Sequence, residues 1–461
     1  MLSLAEIAAA THGRLLGAAE QRVSGISTDS RSVAAGELFV PLRGERFDGH
    51  RFLETVAAAG VRACLVEERW LKQHQLPEPL AAVAVKDALR GLGDLAAAWR
   101  RRFELPVIGV TGSNGKTTTK EMLAAILGMT GPGLATEGNL NNLIGLPRMV
   151  FRLDGTQQWA VFEMGMSEPG EIDRLAEIAA PQVGIVLNAF PAHLQSMGSV
   201  EAVARAKGEL LFRVADNGLA VVNADDPRIA SLPQNPSARR ISFGIKRGEV
   251  RAEQIRSLGV EGQRFTLVTP HGSAEARIAA CGVHNVYNAL AAGAALLDRL
   301  GPEQIAAGLE CFRPYSGRFR IEQVAGLYLI DDSYNANPAS TGAALETLAG
   351  IKGEAQAFVA LGDMLELGDD EQALHRATGR QAAAVADRLF VIGALGAAVA
   401  DGAREAGMSA SAVTEGLSHE AVAAEILAVG RPGDFVLIKG SRGMKMEKIA
   451  EAIRTAVGRE N

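Results

Sequence analysis

Val110-Thr-Gly112-Ser-Asn-Gly115-Lys116-Thr117-Thr118 stands directly after an apolar run, VIGVTG (107–112), and just before a helical one, KEMLAAILG (120–128). Strand, glycine loop, helix is the context that phosphate binding needs. Glycines let backbone N–H groups curl around phosphate oxygens, and the helix N-terminus adds the positive end of its dipole. Lys116 supplies a point charge for the β- and γ-phosphates, and the Thr117 hydroxyl can sit on Mg²⁺. The general G-x-x-x-x-G-K-[ST] pattern puts glycine where this chain has Val110; here it falls two places later, at Gly112. The plain alternative is a tight strand-to-helix turn with an incidental lysine. The flanking runs favour a nucleoside triphosphate site made by Gly112, Ser113, Asn114, Gly115, Lys116, Thr117 and Thr118.

Outward from this loop, strand-like runs alternate with helical stretches. WAVFEMG (159–165), VGIVLN (183–188) and GLAVVNA (218–224) follow it, then a β-rich insertion at about 240–281 and an Ala-rich helix from His284. After Tyr315-Ser-Gly-Arg318 a second set begins: LYLID (327–331), AFVALG (357–362), LFVIG (389–393) and FVLIKG (435–440). Such alternation is the signature of parallel sheets covered by helices, with ligands at the strands' carboxyl ends. The opening differs: Ser3-Leu-Ala-Glu6 is a capping box, followed by short runs at Gly36–Leu42, Arg62–Glu67 and Ala81–Val85 and a helix over Gly49–Ala59. The expected fold is α/β in three domains. A small mixed α/β N-terminal domain (1–85) precedes a central P-loop parallel-sheet domain (86–313) and a C-terminal Rossmann-like α/β domain (314–461).

Size and composition agree with this division. The chain has 461 residues, about three domains at roughly 150 each. With 47 Lys+Arg against 53 Asp+Glu the net charge is −6, which argues against general affinity for nucleic acid or anionic membrane. Cys64, Cys281 and Cys311 are odd in number and far apart, so neither a disulfide framework nor a zinc site is expected. No run of 18 apolar residues occurs, and the start, MLSLAEIAAATHG, has no basic n-region. A reducing, cytoplasmic protein without membrane insertion is the expectation. Nothing reads as a long coiled coil, and a monomer is expected. The 51 glycines exceed the usual ~7% and ask where the backbone turns sharply or meets a ligand.

Other residues gain meaning from their position. Glu163 ends an apolar strand and would project beside the phosphate loop, as a metal-side acid or as a solvated strand-end group. His193, in the loop after the next strand, would be a metal ligand or an ordinary surface imidazole. Lys207 lies on the apolar face of SVEAVARAKGELL with Val200, Val203, Ala204 and Leu211. A lysine there must snorkel, lose its charge or be modified. Asn285 and Asn288 share a face at a helix start, where capping explains only one of them. Arg318 follows Ser316-Gly317 at the domain joint, placed to swing toward a triphosphate. Asp332, in LIDDSYNANP, ends the first strand of the last domain.

Taken together these residues resemble the Mur ligase family, ATP-dependent ligases that build the peptide stem of the bacterial cell-wall precursor. The family's loop, T-G-[ST]-[NS]-G-K-T, fits this chain, so Val110 is ordinary within it. The resemblance implies that Glu163 and His193 hold Mg²⁺ with Thr117, and that Lys207 is carbamylated by CO₂. It implies that Asn285, Asn288, Arg318 and Asp332 bind ATP, and that Lys116, Lys207, His193 and Glu163 carry the catalysis. Ser27-Thr28-Asp29-Ser30-Arg31 and Asp48-Gly49-His50 look like the uridine-diphosphate-binding unit. Thr136-Glu-Gly-Asn139-Leu-Asn141-Asn142 resembles the segment reaching toward the sugar-peptide, with Asn139 and Asn142 as contacts. LGDMLELG (361–368) and DDSYNANP (331–338) look like members that add D-alanyl-D-alanine to UDP-N-acetylmuramoyl-tripeptide. No D-N-P-R tetrapeptide, typical of the diaminopimelate-adding members, occurs. Residues 1–85 argue against folylpolyglutamate synthases, which share the P-loop domain but lack this first unit. A sibling ligase adding one amino acid, a nucleotide-gated regulatory module that hydrolyses ATP, and a small-molecule kinase remain the competing readings.

Overall fold

The computed structural model describes residues 2–44, 47–192 and 194–458. Ser3 opens the first helix, Leu4–Thr11, and its hydroxyl accepts from the Glu6 N–H at 3.2 Å while the Glu6 carboxylate accepts from the Ser3 N–H at 2.7 Å. Leu4 and Ile7 then turn inward onto a five-stranded sheet ordered 14–16, 81–85, 63–67, 37–39, 25–27. Strands Ala63–Glu67 and Ala81–Val85 are buried throughout, as continuous apolar runs with helices on either side should be.

The helix Ala88–Arg100 belongs to two cores at once. Ala88, Leu92 and Leu95 pack into the first sheet's core, and Ala96 and Ala97 into the next. Arg100 is buried at its end, donating to the carbonyls of Phe103 (2.7 Å), Ala179 (3.0 Å) and Leu105 (3.2 Å). Burial lowers its pKa from the usual guanidinium value, and the three carbonyls compensate for the lost water.

The central sheet has nine strands in the order 272–278, 263–269, 250–257, 239–244, 219–223, 183–186, 107–111, 160–163, 134–135. Its loop-bearing strand, Val107–Thr111, runs parallel between Val183–Val186 and Ala160–Glu163, which brings Glu163 level with Val110. Val110 is wholly buried in that strand, so the phosphate loop begins only at Gly112. The β-rich stretch expected as an insertion continues this same sheet: Val250–Ser257 joins it in parallel, then pairs antiparallel with Gln263–Thr269. Its register shifts between Glu253 and Arg256, where Gln254 takes φ 50°, and such a bulge hides a strand's alternation from the sequence.

The last sheet has six strands, 320–324, 327–332, 435–439, 357–362, 388–392 and 413–415, all parallel but the first. Apolar cores lie on both of its faces. On one side the helices Glu371–Ala383 and Gly396–Glu405 touch backbone to backbone. Gly379 meets the Val399 carbonyl oxygen, and Gly402 meets that of Arg376. Gly402→Ala should therefore cost about 1–3 kcal/mol through overpacking, read as an earlier urea transition of the last domain. Gly128→Ala, at a helix end with nothing within 4 Å of the added carbon, should leave that transition unmoved.

Candidate active site

Gly115 caps the helix Lys116–Gly128 with φ +87°, a conformation that glycine adopts freely, and its α-carbon sits against the Asn288 side-chain oxygen. Gly112 packs beside Leu187, where an added carbon would lie 2.8 Å from its Cβ. Both glycines are thus required by close approach. The loop's outer side is held by hydrogen bonds: Ser113 N–H to the Asn188 carbonyl (3.1 Å) and Asn114 N–H to Asn188 Oδ1 (2.9 Å).

Lys116 folds back over the loop, its Nζ donating to the carbonyls of Gly112 (2.8 Å) and Ser113 (3.4 Å). Burial lowers its pKa; the Glu163 charge opposes the shift and Arg318 adds to it. Glu163 is 2% exposed. One of its oxygens accepts from the Thr117 hydroxyl at 2.8 Å and the other from Asn141 Nδ2 at 2.7 Å. Lys207, on the helix Val200–Phe212, is 3% exposed and lines the same cavity. Burial first, then the like charge of Lys116, holds its amine well below the ordinary lysine pKa.

From the last sheet, Arg318 reaches across, Nη2 lying 3.2 Å from the Thr117 hydroxyl and the guanidinium 3.9 Å above the Tyr334 ring. Its buried Nε has no partner among the described residues, so one donor is free to meet an anion. Asp332 is engaged by Lys439 Nζ (2.7 Å) and by the Phe319 N–H (3.1 Å). On the helix Val283–Ala294, Asn288 Nδ2 donates to Asn285 Oδ1 (3.0 Å) and Asn285 Nδ2 to the Cys281 carbonyl (2.7 Å). The neighbouring His284 is half-buried, and desolvation of its ring pulls its pKa down to about 4.

These groups line one cavity of about 1200 Å³ between the central and last sheets. It gathers Gly112, Ser113, Asn114, Gly115, Lys116, Thr118, Asn142, Glu163, Lys207, Asn285, Asn288, Arg318 and Asp332, with Thr117 bonded to two of them. The expected metal ligand His193 lies outside the described residues. Asn139 instead lines a separate cavity of about 700 Å³ beside Lys120, Trp159 and Tyr315. Asn142 also starts the helix Gly145–Val150 by accepting from the Gly145 N–H at 2.9 Å.

The expected diphosphate residues stand apart from both cavities. Ser27, Thr28, Asp29 and Ser30 form a half-buried loop in which Arg31 pairs with Asp29 at 2.7 Å. That guanidinium holds the Asp29 carboxyl well below the usual carboxylate range. His50 is turned inward, with Nδ1 on Asp48 (2.7 Å) and Nε2 accepting from the Glu67 N–H (3.1 Å), so both ring nitrogens are engaged within the fold. Gly49 lies where an added carbon would be 2.7 Å from the Leu42 carbonyl oxygen.

Four site residues escape a reading of the sequence: Asn141, Asn188, Tyr334 and Asn337. A loop asparagine looks the same whether it closes a turn or holds a carboxylate. All four lie in stretches already quoted, Asn141 in the 136–142 loop, Asn188 at the end of VGIVLN and Tyr334 and Asn337 in DDSYNANP, but nothing in the sequence singles them out as site residues.

With this geometry in place, comparison with known proteins is direct. Residues 22–100 match the Mur ligase family catalytic domain, 110–296 the Mur ligase middle domain and 317–442 the Mur ligase glutamate ligase domain. The chain belongs to the Mur ligase family, ATP-dependent enzymes that form amide bonds. Among its relatives over nearly the whole length are D-alanyl-D-alanine ligases of that family. It is 37% identical to UDP-N-acetylmuramoyl-tripeptide–D-alanyl-D-alanine ligase of Bacillus subtilis, covering 93% of each chain. MurF from Acinetobacter baumannii superposes with TM-score 0.87 at 34% identity over 97% of each chain. MurF from Thermotoga maritima in complex with ADP superposes with TM-score 0.83 at 25% identity, over 96% of this chain and 99% of that one. Among the described residues no helix is long and apolar enough to cross a membrane.

Gly115→Ala tests the loop directly. A non-glycine residue at positive φ costs about 1–2 kcal/mol, before the clash with Asn288 is counted. ADP affinity by calorimetry should fall by roughly tenfold or more, with the far-UV spectrum unchanged.

Proposed function

We propose that this chain joins D-alanyl-D-alanine to UDP-N-acetylmuramoyl-tripeptide through an amide bond, consuming ATP and releasing ADP and phosphate in peptidoglycan precursor synthesis. The observation that carries this reading is the cavity itself. A phosphate loop with its half-buried lysine, a second, buried lysine and an arginine from the last domain converge there, in a chain matched end to end by ligases of that name.

The chemistry follows from the groups present. A carboxylate is a poor electrophile, so an oxygen of the tripeptide's terminal carboxylate attacks the γ-phosphorus. The bond to the β–γ bridging oxygen breaks, and ADP and an acyl phosphate result. The dipeptide amine then adds to the acyl carbon, loses a proton, and the tetrahedral intermediate expels phosphate. Lys116, parked on loop carbonyls 2.8 and 3.4 Å away, is within a side-chain rotation of the phosphates. Arg318 brings its unpaired Nε and the rest of its fork to the same anion. Both act chiefly by positioning and by neutralising charge.

The Thr117 hydroxyl and Glu163 carboxylate, bonded at 2.8 Å, are the hard oxygen donors that Mg²⁺ takes alongside substrate phosphates and water. These residues would hold it, and its charge when bound would lower the cost of bringing two anions together. Asn141 keeps the Glu163 carboxylate oriented toward them. Lys207 fits carbamylation. Its amine is buried and burial holds its pKa well below the ordinary lysine value, which favours the neutral amine; addition of that amine to CO₂ forms an N–C bond, releases one proton and leaves a carbamate anion. Asn285, Asn288 and Asp332 would contact ATP; Ser27 to Arg31 and Asp48 to His50 would receive the uridine diphosphate end. The domains would then be 1–85 for the UDP substrate, 86–313 for ATP and 314–461 for closure and the dipeptide.

Incubation with ATP, UDP-tripeptide and D-Ala-D-Ala should release phosphate only when both co-substrates are present, with a product heavier by the dipeptide. Phosphate release indifferent to them would mean a regulatory ATPase, and phosphate kept on the product a kinase. Lys116→Ala should reduce ligation by at least ~10²-fold while UDP-tripeptide still binds. Lys207→Ala should be inactive and recover partly with added short carboxylic acids; wild-type activity without them would exclude the carbamate.

A further inference from the structure

Asn337 lies on the last domain, at the start of the helix Pro338–Ile351, yet its carboxamide faces the phosphate loop of the central domain. Its Nδ2 donates to Asn114 Oδ1 at 2.8 Å, and Asn114 Nδ2 returns a bond to Asn337 Oδ1 at 3.3 Å. The residue is 8% exposed, so this reciprocal pair is sheltered from water. On the other side Asn188 takes the Asn114 backbone, accepting from its N–H at 2.9 Å and donating to its carbonyl at 3.1 Å. Every hydrogen-bonding group of Asn114 is thus committed to one of two asparagines, one from each domain. Asn114 stands between Gly112 and Gly115, at the crest of the loop that must curl around phosphate.

We infer that Asn337 is a positioning residue for the ligase reaction, which sets the phosphate loop through the paired carboxamide of Asn114 when the last domain is closed. The inference rests on the ligase reading for its kinetic consequence and on the geometry alone for its effect on nucleotide binding. An amide pair suits this task. It is uncharged, so pH and salt leave it intact, and its two antiparallel bonds form in only one orientation of the domains. Arg318, which also crosses between the domains, is charged and reaches the Thr117 hydroxyl. The pair fixes the loop so that Arg318 and Lys116 meet phosphate in register.

Asn337 has a second duty that the test must separate. Its Oδ1 also accepts from the Ser340 N–H at 2.8 Å, capping its own helix. Asn337→Asp and Asn337→Ser both keep a good cap. The aspartate places an acceptor against Asn114 Oδ1, and the serine is too short to reach it. Both variants should melt as the wild type does. Both should lose roughly tenfold in kcat/KM for ATP, the size of one or two neutral hydrogen bonds, with the KM for D-Ala-D-Ala little changed. ADP affinity by calorimetry should fall alongside. Asn114→Ala should show a similar loss, and the Asn114→Ala/Asn337→Ser double variant should be no worse than the poorer single one. Wild-type kcat/KM and ADP affinity in Asn337→Ser, or losses that multiply in the double variant, would overturn the inference. If the wild type proved not to ligate, the calorimetric comparison would still decide whether the pair sets the loop.

Discussion

Lys116, Lys207 and Arg318 share the cavity between the central and last sheets with the Glu163 carboxylate. Lys207 is buried there and Lys116 half-buried, Arg318 reaches in from the last domain, and Glu163 is a buried acid of the same lining. Buried charge is costly unless matched: burial and then the charge of Lys116 depress the Lys207 pKa, and burial with the charge of Arg318 depresses that of Lys116. A site of this composition favours polyanions, and the rest of the architecture follows from having to hold it. The parallel sheet supplies strand ends at one level, the glycines admit backbone where side chains would collide, and the neighbouring domain closes the space from above.

That constraint also explains which parts of the fold are legible in the linear sequence. The loop was plain because its chemistry is local: strand, glycines, lysine and hydroxyl lie within nine residues. Glu163 and Lys207 were visible as residues in the wrong company, a carboxylate at an apolar strand's end and a cation on an apolar helix face. The edge of the central sheet was less so. Its strands at 250–278 are held by hairpin pairing and a bulge, which leave no periodic signature, and they read as an insertion rather than as a continuation. The helix Ala88–Arg100 likewise shows one amphipathic pattern although it serves two cores.

The asparagines are the instructive omission. Asn141, Asn188 and Asn337 each make a bond that decides the orientation of a site group. Yet asparagine is common in turns and caps, and a short amide gains a distinct role only from what the fold brings opposite it. At Glu163 a neutral amide aims a charged group without altering the balance of charge. Glu163 is steadied on one oxygen by Asn141, which leaves the other to the Thr117 hydroxyl.

The joint between the domains is built on the same economy. Arg318 is flanked by Gly317 at φ +72° and Phe319 at φ +50°, and a phenylalanine in that region carries about 1–2 kcal/mol of strain. Phe319 stays there because its ring is buried and its N–H is taken by Asp332, which Lys439 fixes in turn. Asp332 therefore aims Arg318 as well as lining the nucleotide cavity. Relaxing Phe319 to an ordinary conformation would swing the guanidinium off the Tyr334 ring and away from Thr117. The reach of the arginine is thus stored in the backbone of the joint, where Gly317 and Phe319 on either side determine where its charge arrives.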